Sequence, residues 1–443
     1  MRRHSWFSIS LPVLLLGVVA QAQTAVAPAE LTLAQSIEQA LKNNVQTRLA
    51  QERTAESRAR RGIALSPLLP NVSGAAYQAS MTANLAAEGF TSSVFPGVPA
   101  FIGPFRVFDA RLRMQASLFN LASIRSYQAA RYGVKLAERQ RQLTEEQVAA
   151  ATSMAYIEVL EAGQSVEAAQ ANVELAHSLL DLAVNQRKAG IATGLDVARA
   201  DTRLAGQQVR LDQAKTNLDT ARLTLFRLIG SPLGAPTEPA DAMRFEPQPL
   251  PDTAAAIARG LATRLELSVA ADELRIAQAE RKAALGGWAP SVSAFGDYGA
   301  SGVKPDLVDL PTRSIGIRLD VPIFNGGRTR SEVQAASSRV RQAELQLSDL
   351  RQAVEKDVRQ ALDNLATREE QMQAARKSLE LAGRELSLAQ DRFKNGVADN
   401  IETTTAQTEL ADARQAAVSS LAEFNIARLN LYSALGRAMD FTF

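Results

Sequence analysis

The sequence predicts a mainly α protein with a smaller β part, in which a helix, a β-hairpin and a long helical hairpin follow one another twice. Three observations predict it: an internal duplication, two proline-free tracts with a seven-residue apolar period, and four short segments with a period of two. The duplication is read from matching residues. Ile37 to Leu41 and Ile257 to Leu261 lie 220 apart, as do Pro70 and Pro290, whereas Leu118-Phe119-Asn120 and Ile323-Phe324-Asn325 lie 205 apart. Lys188 and Gly190 match Lys394 and Gly396 at a spacing of 206, and Ala221-Arg222-Leu223 matches Ala427-Arg428-Leu429 at the same spacing. A period this long marks one large duplication, not a solenoid unit. The spacing falls by 15 between the proline and the Phe-Asn pair, so the first repeat carries a longer loop, about 85–104.

In chain order, a secretory signal peptide comes first, residues 1–22. Arg2 and Arg3 precede the apolar run Leu11 to Ala20, and Ala20-Gln21-Ala22 supplies the small-residue cleavage pattern. A cut after Ala27 is the alternative, but it would leave Pro28 at the new terminus. The first structural repeat follows at 23–230, with an opening helix near 32–65, a β-hairpin at about 71–118, a long helix from 120 to 188 and a return helix from 196 to 228. A linker at 231–251 holds all six prolines found between Gly230 and Pro251. The second repeat, 252–443, has an opening helix near 252–285, a β-hairpin at about 291–323, a long helix from 327 to 394 and a return helix from 401 to 435.

Proline placement sets these helix lengths, because an interior proline costs a helix about 3 kcal/mol or more. None lies between Pro104 and Pro232 or after Pro322. Glycine turns, at Gly190 to Gly194 and near Gly396, are the best interruptions. Each long helix then runs close to 70 residues, or on the order of 100 Å. Val358, Leu365, Met372, Leu379, Leu386 and Phe393 form one heptad row, beside Val354, Ala361, Arg368, Ala375, Ala382 and Ala389. In the first repeat, Val159, Val166, Val173 and Leu180 stand beside Ala155, Ala162, Ala169, Ala176 and Ala183, and Leu204, Leu211, Leu218 and Leu225 offer a partner row. A strict seven-residue repeat implies left-handed supercoiling, and a small row beside a large one lets helices approach closely.

Between the opening and long helices the period changes to two. Phe108, Ala110, Leu112, Met114, Ala116 and Leu118 alternate with Asp109, Arg111, Arg113, Gln115 and Ser117; Ile315, Ile317, Leu319, Val321 and Ile323 alternate with Ser314, Gly316, Arg318 and Asp320. The segments after Pro70 and Pro290 alternate more weakly. Such segments of about 10 residues are the signature of outer-membrane β-barrel strands. A half-buried soluble hairpin shares the pattern, but no further material here would cover the apolar faces. Four strands cannot close a barrel, and a membrane sheet tolerates no lipid-exposed edge, so the chain is expected to share its barrel with copies of itself.

The order of elements resembles the TolC-like outer-membrane efflux protein family over nearly the whole mature chain. Its most specific local elements are Leu69-Pro70-Asn71 and Ala289-Pro290-Ser291 leading into strands, the strand exit Val321-Pro322-Ile323-Phe324-Asn325-Gly326-Gly327-Arg328, and the two glycine turns. The resemblance implies a homotrimer with a 12-stranded outer-membrane β-barrel continued by a periplasmic α-helical barrel. It implies an exit duct for an efflux pump or type I secretion system, passive itself, joined to an inner-membrane transporter through a periplasmic adaptor (membrane fusion) protein. The family's turns place an acid six residues after glycine at the periplasmic tip, which here gives Asp196 after Gly190 and Glu402 after Gly396. These residues, with Asp399, are the candidates for a pore constriction. The second acid that some members carry three residues further is Thr405 here, so a double acidic ring is incomplete. Adaptor docking falls to Lys188, Gly190, Ile191, Lys394, Gly396 and Val397. Ordinary turn chemistry explains the glycines equally well, and first-turn acids also suit a helix dipole.

Composition argues against chemistry. There are no cysteines and two histidines, His4 and His177, so thiol-ligated metal, an Fe–S centre or a histidine-based catalytic site has no material. No catalytic residues, metal site or cofactor are expected. The seven methionines are scattered, and His177 reads as a solvated helix residue. Removing Arg2 and Arg3 with the signal peptide turns 49 basic against 47 acidic residues into balance, so nucleic acid is not an expected partner and outer-membrane lipid is. Lacking cysteine, the chain is not expected to carry a lipoprotein anchor. Phe90, Phe95, Phe101 and Ile102 in the long loop read as packing over the barrel rim. The competing functions are a periplasmic adaptor, which has one hairpin flanked by compact β-domains, and a soluble coiled-coil structural protein.

Overall fold

The computed structural model describes residues 29–91, 93–234, 237–247, 249–304, 310–395, 397 and 400–443. The expected signal peptide, its alternative cut after Ala27, Gly396 and Asp399 lie outside the described residues. Helix dominates. After a short strand β1 (Ala29–Leu31) come α1 (Leu33–Asn43), α2 (Val45–Leu65), strands β2 (Asn71–Asn84) and β3 (Phe101–Phe119), and helices α3 (Leu121–Lys188) and α4 (Gly194–Ile229). The order recurs after β4 (Thr237–Pro239), as α5 (Thr253–Thr263), α6 (Leu265–Leu285), β5 (Ser291–Gly302), β6 (Leu310–Asp320), α7 (Arg328–Lys394) and α8 (Asn400–Ala434). α3 and α7 hold 68 and 67 residues, about 100 Å each at 1.5 Å per residue. β6 stops at Asp320, three residues short of the expected hairpin end at 323.

Each opening helix, expected as one, is two. Asn44 leaves the helix with ψ 136° and caps α2 by accepting from the Gln46 N–H. Its Nδ2 donates to the Leu228 carbonyl at 2.9 Å, and Asn43 Nδ2 donates to that of Ile229 at 3.3 Å. The break exists because the last carbonyls of α4 dock there and need donors. In the second repeat Arg264 is extended likewise, and Thr263 Oγ1 donates to the Leu435 carbonyl at 2.6 Å, just past the end of α8.

The two hairpins join through β3 and β5 into one antiparallel sheet of order β2-β3-β5-β6. Its polar face is bonded together: Arg111 reaches Asp109 at 2.6 Å, Asp297 at 2.7 Å and Ser301 at 3.2 Å. Gly299, opposite Arg111, makes this possible, since a Cβ there would stand 2.3 Å from the arginine's Cβ. The other face is bare. Leu112 is 59% exposed, Ile315 85% and Ile317 72%, so no described residue covers the apolar side. Strands β2 and β6 are edges, each paired on one side.

The helices continue the strands. α2 packs on α3, α3 on α6 and α6 on α7, the order of the strands to which they are joined. Farther along, α4 pairs with α3 and α8 with α7, while α3 also packs on α8. The heptad rows become buried seams: Val354 and Val358 are fully buried, and Met372, Leu386 and Phe393 nearly so. Part-way along α3, the helices α1 and α5, the parallel β1–β4 pair and the C-terminal segment form a belt. Tyr156 anchors it, buried and donating to the Leu31 carbonyl at 2.8 Å, with burial pushing its phenol pKa up. Phe443 packs on Tyr156 and Phe441 within this belt, away from the sheet. Among the described residues no helix is long and apolar enough to cross a membrane.

Candidate functional site

Both glycine turns lie at the ends of the long helices. At the first, α3 ends with Arg187 and Lys188, and Gly190 takes φ +75°, which L side chains rarely adopt. The Ile191 N–H then donates back to the Gln186 carbonyl at 2.9 Å, closing the helix end. Open space surrounds Gly190, so its backbone conformation alone demands glycine. Ile191 is 59% exposed and Lys188 is exposed.

Asp196 belongs to this turn. Its Oδ2 accepts from the Thr193 N–H at 2.8 Å and from Thr193 Oγ1 at 2.6 Å, while Thr193 Oγ1 accepts from the Asp196 N–H at 3.3 Å. This reciprocal capping box starts α4. The Thr193 hydroxyl, helped by its N–H and by Arg199 at 3.9 Å, holds the Asp196 carboxyl below its usual range.

The second turn is built differently. Arg392, two residues before the end of α7, grips Glu402 in the first turn of α8, Nε to Oε2 at 3.3 Å and Nη2 to Oε1 at 3.3 Å. The carboxylate thereby spans the turn. The Val397 N–H donates to the Arg392 carbonyl at 3.0 Å, and the Val397 side chain is 71% exposed. Lys394 is exposed.

The two turns are linked. Gln186, buried on α3, donates from Nε2 to the Phe393 carbonyl on α7 at 3.1 Å. Farther from the tip, Arg203 on α4 bonds Thr408 on α8, and Arg414 on α8 donates to Asn172 on α3 at 2.6 Å. Burial lowers the pKa of Arg203, nearby Arg210 adds to this, and Asp412 opposes it. A hollow of about 660 Å³ between α4 and α8 is lined by Leu195, Arg199, Arg203, Arg210, Ile401 and Thr405. Sequence reasoning missed Gln186, Arg203 and Arg414. The polar residues beside the apolar rows were visible, but not which helix each would meet. His177 stands exposed beside Asp181 at 3.1 Å, as a solvated helix residue should. Phe90 and Phe95 contact each other at the long loop, with ring centroids 5.2 Å apart.

The profile of the family described as outer membrane efflux protein matches residues 36–231 and 256–437. Pyoverdine export outer membrane protein OpmQ of Pseudomonas aeruginosa is 29% identical over 320 residues, 70% of this chain and 66% of that protein. Outer membrane protein TolC of Escherichia coli is 24% identical over 344 residues, covering 74% and 69%. The toluene efflux pump outer membrane protein TtgC of Pseudomonas putida is 26% identical over 58% of this chain and 53% of its own length. The chain thus spans about two thirds of the Pseudomonas aeruginosa OpmQ and about half of TtgC. Among solved structures, the Campylobacter jejuni CmeC outer membrane channel superposes with TM-score 0.79 at 20% identity, covering 92% of this chain and 86% of that one. The Neisseria gonorrhoeae MtrE outer membrane channel in its open state gives 0.76 at 20%, covering 92% and 89%.

Proposed function

The chain belongs to the outer membrane efflux protein family, and on that premise we propose that it is the outer-membrane exit duct of a tripartite efflux pump. It works as a homotrimer, without chemistry of its own, handed solutes by an inner-membrane transporter through a periplasmic adaptor. The observation that carries this reading is the sheet: four strands with a bare apolar face, a bonded polar face and two open edges, set on helices of about 100 Å. Three copies would close the edges into 12 strands and remove the lipid-exposed backbone that a membrane forbids. The two halves, 23–230 and 252–443 joined by 231–251, would then contribute alternate sectors of the wall.

The turns at the far end supply the gate and the dock. Glu402, braced by Arg392, lines the narrowest part of the pore with its two symmetry copies, and a ring of three carboxylates favours cations. Asp196 contributes less, because its Oδ2 already serves Thr193. Asp399 stands beside them in sequence. Lys188, Gly190, Ile191, Lys394, Gly396 and Val397 receive the adaptor.

Single-channel recording in planar bilayers tests the reading. Purified protein is expected to form stable cation-preferring pores and to fractionate with the outer membrane as a trimer; recovery as a soluble periplasmic protein without conductance would sink it. Unchanged cation preference in Glu402→Ala would remove that residue from the pore while leaving the duct intact.

A further inference from the structure

The layer formed by α2, α3, α6 and α7 has two unlike faces. On one, a hollow of about 920 Å³ is bordered by all four helices, from Arg53 through Gly133 and Glu280 to Arg339. One hollow touched by four helices lying side by side means that the layer curves around it, so this face is concave. The opposite, convex face of the α3/α6 pair holds a separate hollow of about 440 Å³, lined by Arg125, Arg131, Lys135, Arg275, Lys282 and Tyr132, with two glutamines and an alanine. The C-terminal segment confirms the sidedness. Glu146 accepts from the Ala438 N–H at 2.9 Å, and Lys135, Arg139 and Glu146 are spaced four and seven apart on one face of α3. The belt and this hollow therefore share the outer surface.

The hollow has five cations and no carboxylate in its lining. Asp272, buried beside it, is held by Arg275 at 2.7 Å and by Arg139 at 2.5 Å. Arg125, Arg131, Lys135 and Lys282 make no ion pair among the described residues. Four like charges in one concavity call for an anion.

Position says which anion. Arg125 is four residues into α3 and Lys282 three from the end of α6, so the hollow begins within about 6 Å of the sheet-side ends of these helices at 1.5 Å per residue. The strand junctions beyond them expose Leu118, Phe119, Leu285 and Trp288, and tryptophan at such a level marks a membrane interface. Long arginine and lysine stems reach toward headgroups. α3 and α6 are the middle helices of the layer, so a neighbouring copy, which must join at α2 or α7, leaves this face clear.

We propose that the convex hollow binds the phosphate of an anionic phospholipid from the membrane leaflet facing the helices. The inference rests on the barrel reading above, which places the junctions at the bilayer surface. Delipidated protein in detergent is titrated with dioleoyl phosphatidylglycerol, with dioleoyl phosphatidylcholine and with inorganic phosphate, and bound molecules are counted by native mass spectrometry. Phosphatidylglycerol is expected to be retained and phosphatidylcholine and phosphate are not. Replacing three cations (Arg131→Gln, Lys135→Gln, Lys282→Gln) should weaken retention on the order of 100-fold, about fivefold per charge. The charge-keeping set (Arg131→Lys, Lys135→Arg, Lys282→Arg) should restore it, and Arg339→Gln on the concave face should change nothing. If the triple variant does not fold, the Lys135→Gln and Lys282→Gln single variants decide. Equal retention in the neutralised variants, or phosphate binding as tight as that of the lipid, overturns the assignment. Wild-type protein that conducts in bilayers but retains no phosphatidylglycerol would remove this site and leave the duct standing.

Discussion

The two turns at the tip descend from one duplicated segment, yet they close by different means. Counting 206 residues from one to the other, Gly190 answers to Gly396, Asp196 to Glu402 and Gln186 to Arg392. In the first turn the acid caps its own helix through Thr193, and Gln186 turns inward to the Phe393 carbonyl. In the second, Arg392 reaches across the turn to Glu402. A short aspartate within reach of a threonine becomes local structure; a longer glutamate opposite an arginine becomes a strut between two helices. The same spacing from glycine therefore carries two roles, and the partner decides which.

The largest effect should come from cutting the link between the turns. Gln186→Ala removes the one side-chain bond joining α3 to the Phe393 carbonyl, which among the described residues keeps only the Asn395 N–H, a cost of up to about 1.5 kcal/mol, read as faster amide exchange at both turns. Next, Thr193→Ala removes the capping box and should loosen the start of α4 by about 1 kcal/mol without disturbing Glu402. Exchange rates that change equally in both turns would break the distinction drawn between them. Arg392→Ala should cost less, about 0.2–1 kcal/mol for an exposed pair, and that loss should shrink in high salt while the Thr193→Ala loss does not. The smallest effect is with pH. Because the Asp196 carboxyl is held below its usual value, its contribution is present above the ordinary aspartate range near about 3.9 and fades as pH falls through the lowered value. Protection of the Thr193 to Val197 amides, their exchange rate relative to the intrinsic rate at the same pH, should therefore hold at pH 5 and fall under stronger acid; a fall that begins at pH 6 would contradict the cap.

Much of the fold was legible because it depends on near neighbours. Proline-free tracts gave α3 and α7 to within a residue or two, and alternation over 108–118 gave the second part of β3 and its two faces; Phe101 and Ile102, expected in the long loop, instead begin that strand, paired with Asn84 and Ala83 of β2. The breaks at Asn44 and Arg264 were not legible, since each is made by the end of a helix about 170 to 190 residues away in sequence. The site was half legible. Gly190 and the two acids could be found by spacing, but Thr193 as the partner of Asp196 required the turn itself, and the Arg203–Thr408 bond joins residues 205 apart.

By itself, then, the sequence determined periods and lengths: a heptad sets a supercoiled seam, a two-residue alternation sets a two-faced strand, and missing prolines let a helix run about 100 Å. These follow from local backbone geometry. Tertiary structure alone decided the order β2-β3-β5-β6, the side on which the basic hollow opens, and which acid caps and which braces. Each of those depends on segments brought together across the duplication, and side-chain chemistry at one position does not specify its distant neighbour.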